Sequence, residues 1–305
     1  MSSEDLIARC LLAGGSMRLV AVTSTELCGE ICRRHETSGA LAVALARAAT
    51  SGLLLATLTK GDEKVSMHLL GEGALGTLTV DASSSGDVRA YPKNGGQDLP
   101  VPPRTRVKLA PLTGAEGLVT VARDLGLKEH FTGQTAFLSG EVDEDVERYL
   151  VTSEQIDSVL VADAALDEEG RVLWAGGLLL QAMPGGEHEA TLEEQRKHLH
   201  QGAFFDALMQ VAGDGPEGLA RAALGEVAAD LRVLDTRPVQ FSCQCSRERA
   251  EATLALLGER DLASILVDPG VAEVVCEFCR TTYHFSAENL EVLRASLGAP
   301  AGRPS

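Results

Sequence analysis

Residues 241–285 read FSCQCSRERAEATLALLGERDLASILVDPGVAEVVCEFCRTTYHF, placing a Cys-x-Cys (Cys243, Cys245) ahead of a Cys-x-x-Cys (Cys276, Cys279) with thirty residues between. Two close pairs joined by a stretch long enough to fold back give the spacing of a tetrahedral four-thiolate site. That donor set suits Zn²⁺, with Zn–S near ~2.3 Å. Val271–Val275 and Thr281–Phe285 have strand character, which puts Cys276 and Cys279 at the turn of a hairpin. One zinc ion per chain is therefore expected on these four sulfurs. The segment has fewer than seventy residues, too few to bury much apolar surface alone, so metal binding would be a large part of its folding energy, roughly 10–16 kcal/mol for structural zinc. Loss of the thiolates by oxidation would remove that contribution.

Four of the seven cysteines lie in this segment; Cys10, Cys28 and Cys32 lie far upstream. Cys28 and Cys32, one helical turn apart, read as small semi-buried residues, with metal binding or oxidation as the open alternative. Cys10 has no partner pattern. His284, five residues after Cys279, is near enough in sequence to replace a sulfur, but four cysteines already fill the shell. His188, His198 and His200 lack a matching acid or cysteine spacing and are expected to be solvated.

The composition, 45% apolar and 23% charged, is ordinary for a globular chain, and 305 residues suggest more than one domain. A net charge of −17 opposes a polyphosphate partner, since nucleic-acid affinity comes from Lys and Arg displacing counterions. Met1–Arg18 holds Glu4 and Asp5 and only a short apolar run, Cys10–Ala13, which is not a signal-peptide or membrane-span pattern. A reducing, cytoplasmic setting is expected, with the cysteines as thiols, ligands or switches rather than a disulfide framework.

Upstream, the sequence reads as α+β. Strand character appears at Leu19–Thr23, Lys64–Leu70, Gly76–Val80, Leu118–Ala122, Ser158–Ala162 and Arg171–Met183. Ser38–Leu58 is Ala/Leu-rich and free of proline, predicting a buried helix. Pro92–Pro111 should be irregular, and Asp143–Asp145 should open a helix running toward Glu154. The glycine-rich GEGALG (71–76) lies between strand-like runs, so it is a turn rather than a phosphate loop. Pro184-Gly185-Gly186 closes an N-terminal α/β domain (1–186). A helical linker (187–237) follows, with a capping box at Thr191–Glu194, apolar positions at Leu192, Leu199, Phe204, Phe205, Leu208 and Val211, and a second helix from Pro216. It is either a solvated helical pair or a metastable element whose apolar faces can be uncovered. The C-terminal zinc segment occupies 238–305.

The pattern Phe241-Ser-Cys-Gln-Cys-Ser-Arg-Glu-Arg-Ala250, then Leu256-Leu-Gly258, then Cys276-Glu-Phe-Cys-Arg280 with Tyr283 and Phe285, resembles the 33 kDa chaperonin family of redox-regulated holdases. The resemblance continues through Lys60-Gly61, Gly71–Gly76, Val88–Tyr91, Ser139-Gly-Glu141, Ser153-Glu-Gln155 and Ala175-Gly-Gly177. Ala90 stands where the family usually has glycine. The resemblance implies a non-enzymatic, ATP-independent chaperone, inactive when reduced and zinc-bound. Oxidation with heat would form Cys243–Cys245 and Cys276–Cys279 disulfides, release zinc and unfold the linker. The partners implied are unfolding client proteins and, when oxidised, a second copy of the chain; neither nucleic acid nor a membrane is expected. Leu199, Phe204, Phe205 and Leu208 are the candidate client-binding residues. Two other classes remain open on the residues: a zinc ribbon that binds nucleic acid or protein without redox switching, and a thiol oxidoreductase using Cys276-x-x-Cys279.

Overall fold

The computed structural model describes residues 4–59, 63–93, 99–124, 131–183 and 189–298. Chain contacts divide the protein into two compact units, Met1–Ser242 and Cys243–Ser305. The first contains β1 (Leu6–Leu12), β2 (Met17–Thr23), α1 (Thr25–Arg34), α2 (Gly39–Ala56), β3 (Lys64–Gly71), β4 (Thr77–Ser83), β5 (Asp87–Pro92) and a short α3 (Ala110–Thr113). It continues with β6 (Gly117–Asp124), β7 (Phe131–Ala136), α4 (Val142–Ser153), β8 (Ser158–Leu166) and β9 (Val172–Ala182). The stretch expected as the linker then supplies α5 (Glu189–His198), a π turn (Leu199–Ala203), α6 (Phe204–Val211), α7 (Gly215–Leu224) and most of β10 (Arg232–Pro238), and β11 (Gln240–Phe241) follows within the segment expected to belong to the C-terminal domain. The mixed α+β class is as the sequence indicates.

Among the described residues the strands form one sheet ordered β10-β1-β2-β9-β8 and another ordered β11-β5-β4-β3-β6-β7. α2 lies between them. All its residues are buried, its alanines letting β8 and β9 approach on one side and β3, β4 and β5 on the other. A helix apolar all round has to be covered all round. By length and composition alone α2 could also cross a membrane, but here it is enclosed by the unit. Ala90, at the position noted above, is buried in β5 opposite Val80.

Arg47 is the one charge inside α2, about 1% exposed. Its guanidinium donates to Asp163 at 2.6 and 2.8 Å, to Glu141 at 2.7 Å and to the Val107 carbonyl at 2.8 Å. Glu141 in turn accepts the amides of Leu109 and Ala110. Burial favours the neutral guanidine, but Asp163, Asp143 and Glu141 outweigh it and hold Arg47 charged. One side chain thus joins α2, α4, β8 and the irregular segment before α3; breaking such a buried pair typically costs about 3–5 kcal/mol.

The other face of the first sheet carries the linker helices. Leu192, Leu199, Phe204, Leu208, Leu219 and Ala223 pack on Ala8, Leu12, Leu19, Val161, Leu178 and Leu180, with Trp174 at the margin. The solvated reading of this helical pair is therefore corrected, because the sheet covers its apolar side. Thr191 does not start α5, which already includes Glu189. Pro184–Gly186 and His188 lie outside the described residues.

His200 also needs correction: His198 is exposed, but His200 is largely buried against α4. Its Nε2 lies 3.0 Å from Glu147, and its Nδ1 lies 3.6 Å from Asp143 and 4.0 Å from Glu144. Gly202 (φ 126) breaks the helix just beyond, and Arg106 donates to the His200 carbonyl at 2.6 Å while contacting Asp163. Arg196 clamps Glu147 and Asp157 beside it. Burial lowers the affinity of His200 for a proton, but Glu147, Asp143 and Glu144 outweigh it and move its pKa up. A histidine raised on folding stabilises the fold below its unfolded value of about 6.5, and that stability is lost as pH rises through the folded value. Burial likewise raises Asp143, against Arg47 and His200, which gives the same sign. The urea midpoint of the reduced protein should fall between pH 6 and pH 8.5, and His200→Gln should lower the pH 6 midpoint and flatten the slope. Parallel slopes for the two proteins, followed by circular dichroism, would contradict this role.

Candidate metal centre

The second unit contains α8 (Arg247–Ala255), α9 (Gly258–Val267), the hairpin β12 (Ala272–Val275) and β13 (Thr282–Phe285), and α10 (Ala287–Gly298). Its core is small: Ala250, Leu254, Leu262, Phe285, Leu290 and Leu293 are the buried members.

Cys276 and Cys279 sit in the hairpin turn. The Cys276 amide donates to the Thr281 carbonyl at 3.0 Å and the Arg280 amide to the Cys276 carbonyl at 2.9 Å; Arg280 takes the left-handed conformation (φ 60) that closes the turn. This winding directs the amides of Cys279 and Phe278 at the Cys276 sulfur and the amide of Thr281 at the Cys279 sulfur. Cys243 and Cys245 come from the stretch leading into α8. Ser246 caps that helix, accepting the Arg249 amide, and Arg249 reaches back to the Gln244 carbonyl at 2.7 Å.

All four sulfurs lie within 4.8 Å of one another. Cys243 is 3.7 Å from Cys276, and Cys245 is 3.2 Å from Cys279. A tetrahedral ion with M–S of about 2.3 Å sets sulfur–sulfur edges of roughly 3.8 Å, so the donor set and its spacing fit such an ion. No disulfide joins any of the seven cysteines. Tyr283 donates its hydroxyl to Cys245 at 3.1 Å, and Thr281 Oγ1 lies 3.2 Å from Cys279. Burial raises the Cys279 thiol, but the Thr281 hydroxyl and amide with the neighbouring sulfurs outweigh it and bring it to about 6. At Cys276 burial prevails and pushes it up to about 12.

His284 is outside the cluster: it faces solvent on β13, paired across the hairpin with Glu273 at 3.0 Å. Cys28 and Cys32 are buried on α1, with sulfurs near the Ala46 and Ala42 carbonyls of α2. Burial raises both thiols, Cys32 to about 11, and does the same at Cys10, also to about 11. Leu199, Phe204, Phe205 and Leu208 are no more than 7% exposed in the first unit.

Arg247 belongs to the quoted motif, but its contacts are not legible from the sequence. It donates to the His284 carbonyl at 2.8 Å and to Asn289 at 3.0 Å, and stacks over Phe285 at 4.4 Å. It thereby ties the Cys-x-Cys end of α8 to the hairpin and to α10. The capping serine with Glu248 in the first turn was the available signal of a helix start there.

A model of the family described as Hsp33 protein matches residues 5–286. The chain belongs to the Hsp33 family. It is similar to the 33 kDa chaperonin of Geobacillus sp. (strain WCH70), 35% identical with 95% of this chain and 97% of that protein covered. Similarity to the 33 kDa chaperonin of Bacillus subtilis (strain 168) is also 35%, covering 95% and 98%. The crystal structure of the Thermotoga maritima Hsp33 homologue superposes with a TM-score of 0.84 at 28% identity, covering 96% of this chain and 99% of that one. Membership supports a chaperone function, the binding of unfolded proteins, in a family of holdases rather than enzymes.

If the four cysteines are the ligands and His284 is not, Cys279→Ser should lower affinity for Zn²⁺ at least tenfold in a chelator competition, whereas His284→Ala should leave it unchanged. The reverse ranking would overturn the ligand assignment.

Proposed function

We propose that this chain is a redox-regulated, ATP-independent holdase whose reduced, zinc-bound form is inactive. The observation that carries the reading is the cluster of four reduced sulfurs within 4.8 Å, joined directly to a strand of the first unit: Ser242, the residue before Cys243, donates its amide to Val88 of β5 at 3.0 Å. Zinc, when bound, would keep the thiolates charged and add its binding energy to a small fold. Peroxide takes two electrons from a thiolate pair, forming one disulfide and leaving two hydroxide ions. A second peroxide does the same for the other pair.

Sequence spacing favours Cys243–Cys245 and Cys276–Cys279. The shortest contacts here, Cys243 to Cys276 and Cys245 to Cys279, run across those pairs, so peptide mapping of the oxidised protein decides the connectivity. Without its ligands the second unit loses its main support, and the strap before Cys243 loses its anchor. The linker helices can then leave the sheet, uncovering Leu199, Phe204, Phe205 and Leu208 for clients. We place this chemistry in the cytoplasm, with oxidised chains pairing as dimers. The net charge of −17 disfavours the nucleic-acid alternative.

Peroxide at raised temperature should release about one zinc per chain and, in the same samples, suppress light scattering by an aggregating client. Zinc loss without suppression would leave the site a structural one. Because the four linker residues are buried, replacing one acts twice. Phe204→Ser should cost docking about 3–5 kcal/mol, raising suppression by the reduced protein while lowering the oxidised maximum. A change in neither would remove Phe204 from client capture.

A further inference from the structure

β10 is held to the first unit mainly by its backbone. It pairs antiparallel with β1 from Leu6↔Pro238 to Leu11↔Arg232, with a register shift between Arg9 and Cys10. None of its side chains is buried, and Leu234 is 57% exposed. The strand beneath is different: Ile7, Ala8, Cys10 and Leu12 of β1 are all buried. The chain is held on either side of β10, by Leu231 buried in the linker–sheet cluster and Val239 buried in the core around α2. Upstream, Asp230 accepts the amides of Ala13 and Gly14 at 2.8 and 2.6 Å. Downstream, the Val239 amide donates to Asp5 and the Gln240 amide to Gly86. Gly86 (φ +100) is needed there, since a Cβ would lie 2.2 Å from the Pro238 carbonyl oxygen. Four residues beyond Pro238 the chain reaches Ser242, and Cys243 follows.

We infer that β10 is a displaceable strand, and that the β1 edge it leaves takes an extended segment of an unfolding client by antiparallel strand addition. The inference rests on the redox reading above, in which the strap loses its anchor. An uncovered β1 presents a row of unpaired N–H and C=O groups, which is a template for another extended chain. An unfolding protein supplies unpaired extended backbone, whatever its sequence. Val233 is the β10 side chain that packs on the apolar cluster beneath, so a replacement strand needs little particular side-chain packing, and this suits a site that accepts many clients. A preference still follows from the surroundings. Ala8, Cys10 and Leu12 belong to the same apolar face as Leu19, Leu178 and Leu180, the face the linker helices cover. A client segment alternating apolar and polar residues would lay its apolar side along that face. Proline would remove an amide and break the ladder.

Hydrogen exchange of β1 in the full-length wild-type chain tests this, read by mass spectrometry in parallel with zinc content and aggregation suppression. The probe is a synthetic peptide of alternating valine and threonine with lysine ends; the control replaces alternate valines by proline. On oxidation, the β1 amides facing β10 should lose protection about tenfold or more; the probe should restore it and the control should not. Full suppression with β1 protected throughout, or probe binding that leaves β1 exchanging freely, would overturn strand addition while leaving the redox reading intact. Protection regained without probe as chain concentration rises would assign the edge to a second copy instead. Retained zinc with no suppression would overturn the redox reading, and this inference with it.

Discussion

Four thiol sulfurs gathered within 4.8 Å are hard to ionise together unless a cation lies among them. The second unit is built around that constraint. Among the described residues its apolar core is six buried side chains, too little to hold α8, α9, α10 and the hairpin in place by itself. Polar work around the sulfurs is correspondingly dense: the hairpin amides, the Tyr283 and Thr281 hydroxyls, and Arg247 stapling α8 to β13 and α10. Such surroundings orient the ligands and set how readily they react. A fold whose stability is concentrated in one metal centre can be switched by chemistry at that centre. A fold whose stability is spread over a large core cannot.

The first unit has the opposite character. α2 is enclosed by two sheets, and Arg47 fastens it to three carboxylates and a carbonyl. The linker helices cover one face of the first sheet, and β10 is an edge strand of it. They are held by one apolar face, by the His200 and Arg196 contacts to α4, and by the β1–β10 ladder from Leu6↔Pro238 to Leu11↔Arg232. The Gly202 break beside His200 interrupts the helix at the polar clasp. The proposed function requires these elements to lie at the low-stability end of the molecule's range of local unfolding energies.

Much of this was legible in the sequence, and the omissions have physical causes. The cysteine pairs declare themselves because a tetrahedral shell needs close pairs far enough apart to fold back. α2 was legible because an Ala/Leu run free of charges, save Arg47, has few other fates. β1 was not: apart from Arg9 its LIARCLL is apolar throughout, so the sequence hides the alternation of buried and half-buried positions that the strand shows from Ala8 to Leu12. β10 was missed because it is held by pairing to residues more than two hundred positions away, not by a pattern of its own. The apolar spacing of the linker showed which side needs covering but could not show what covers it. His200 looked solvated because the acids that hold it lie about fifty residues earlier in the chain. Arg247 was read as part of a motif, and only the folded unit shows the carbonyl, amide and ring it joins.

The central claim is that the metal centre and the linker's seat on the sheet are coupled through the strap between them. Trp174, the single tryptophan, packs at the margin of the linker–sheet cluster and reports that seat. Its emission should be followed against zinc release from the reduced protein under peroxide at raised temperature, then again after reduction and return of zinc. The account predicts a red shift that grows with zinc loss and reverses with reloading. Complete zinc loss with Trp174 emission unchanged would contradict it.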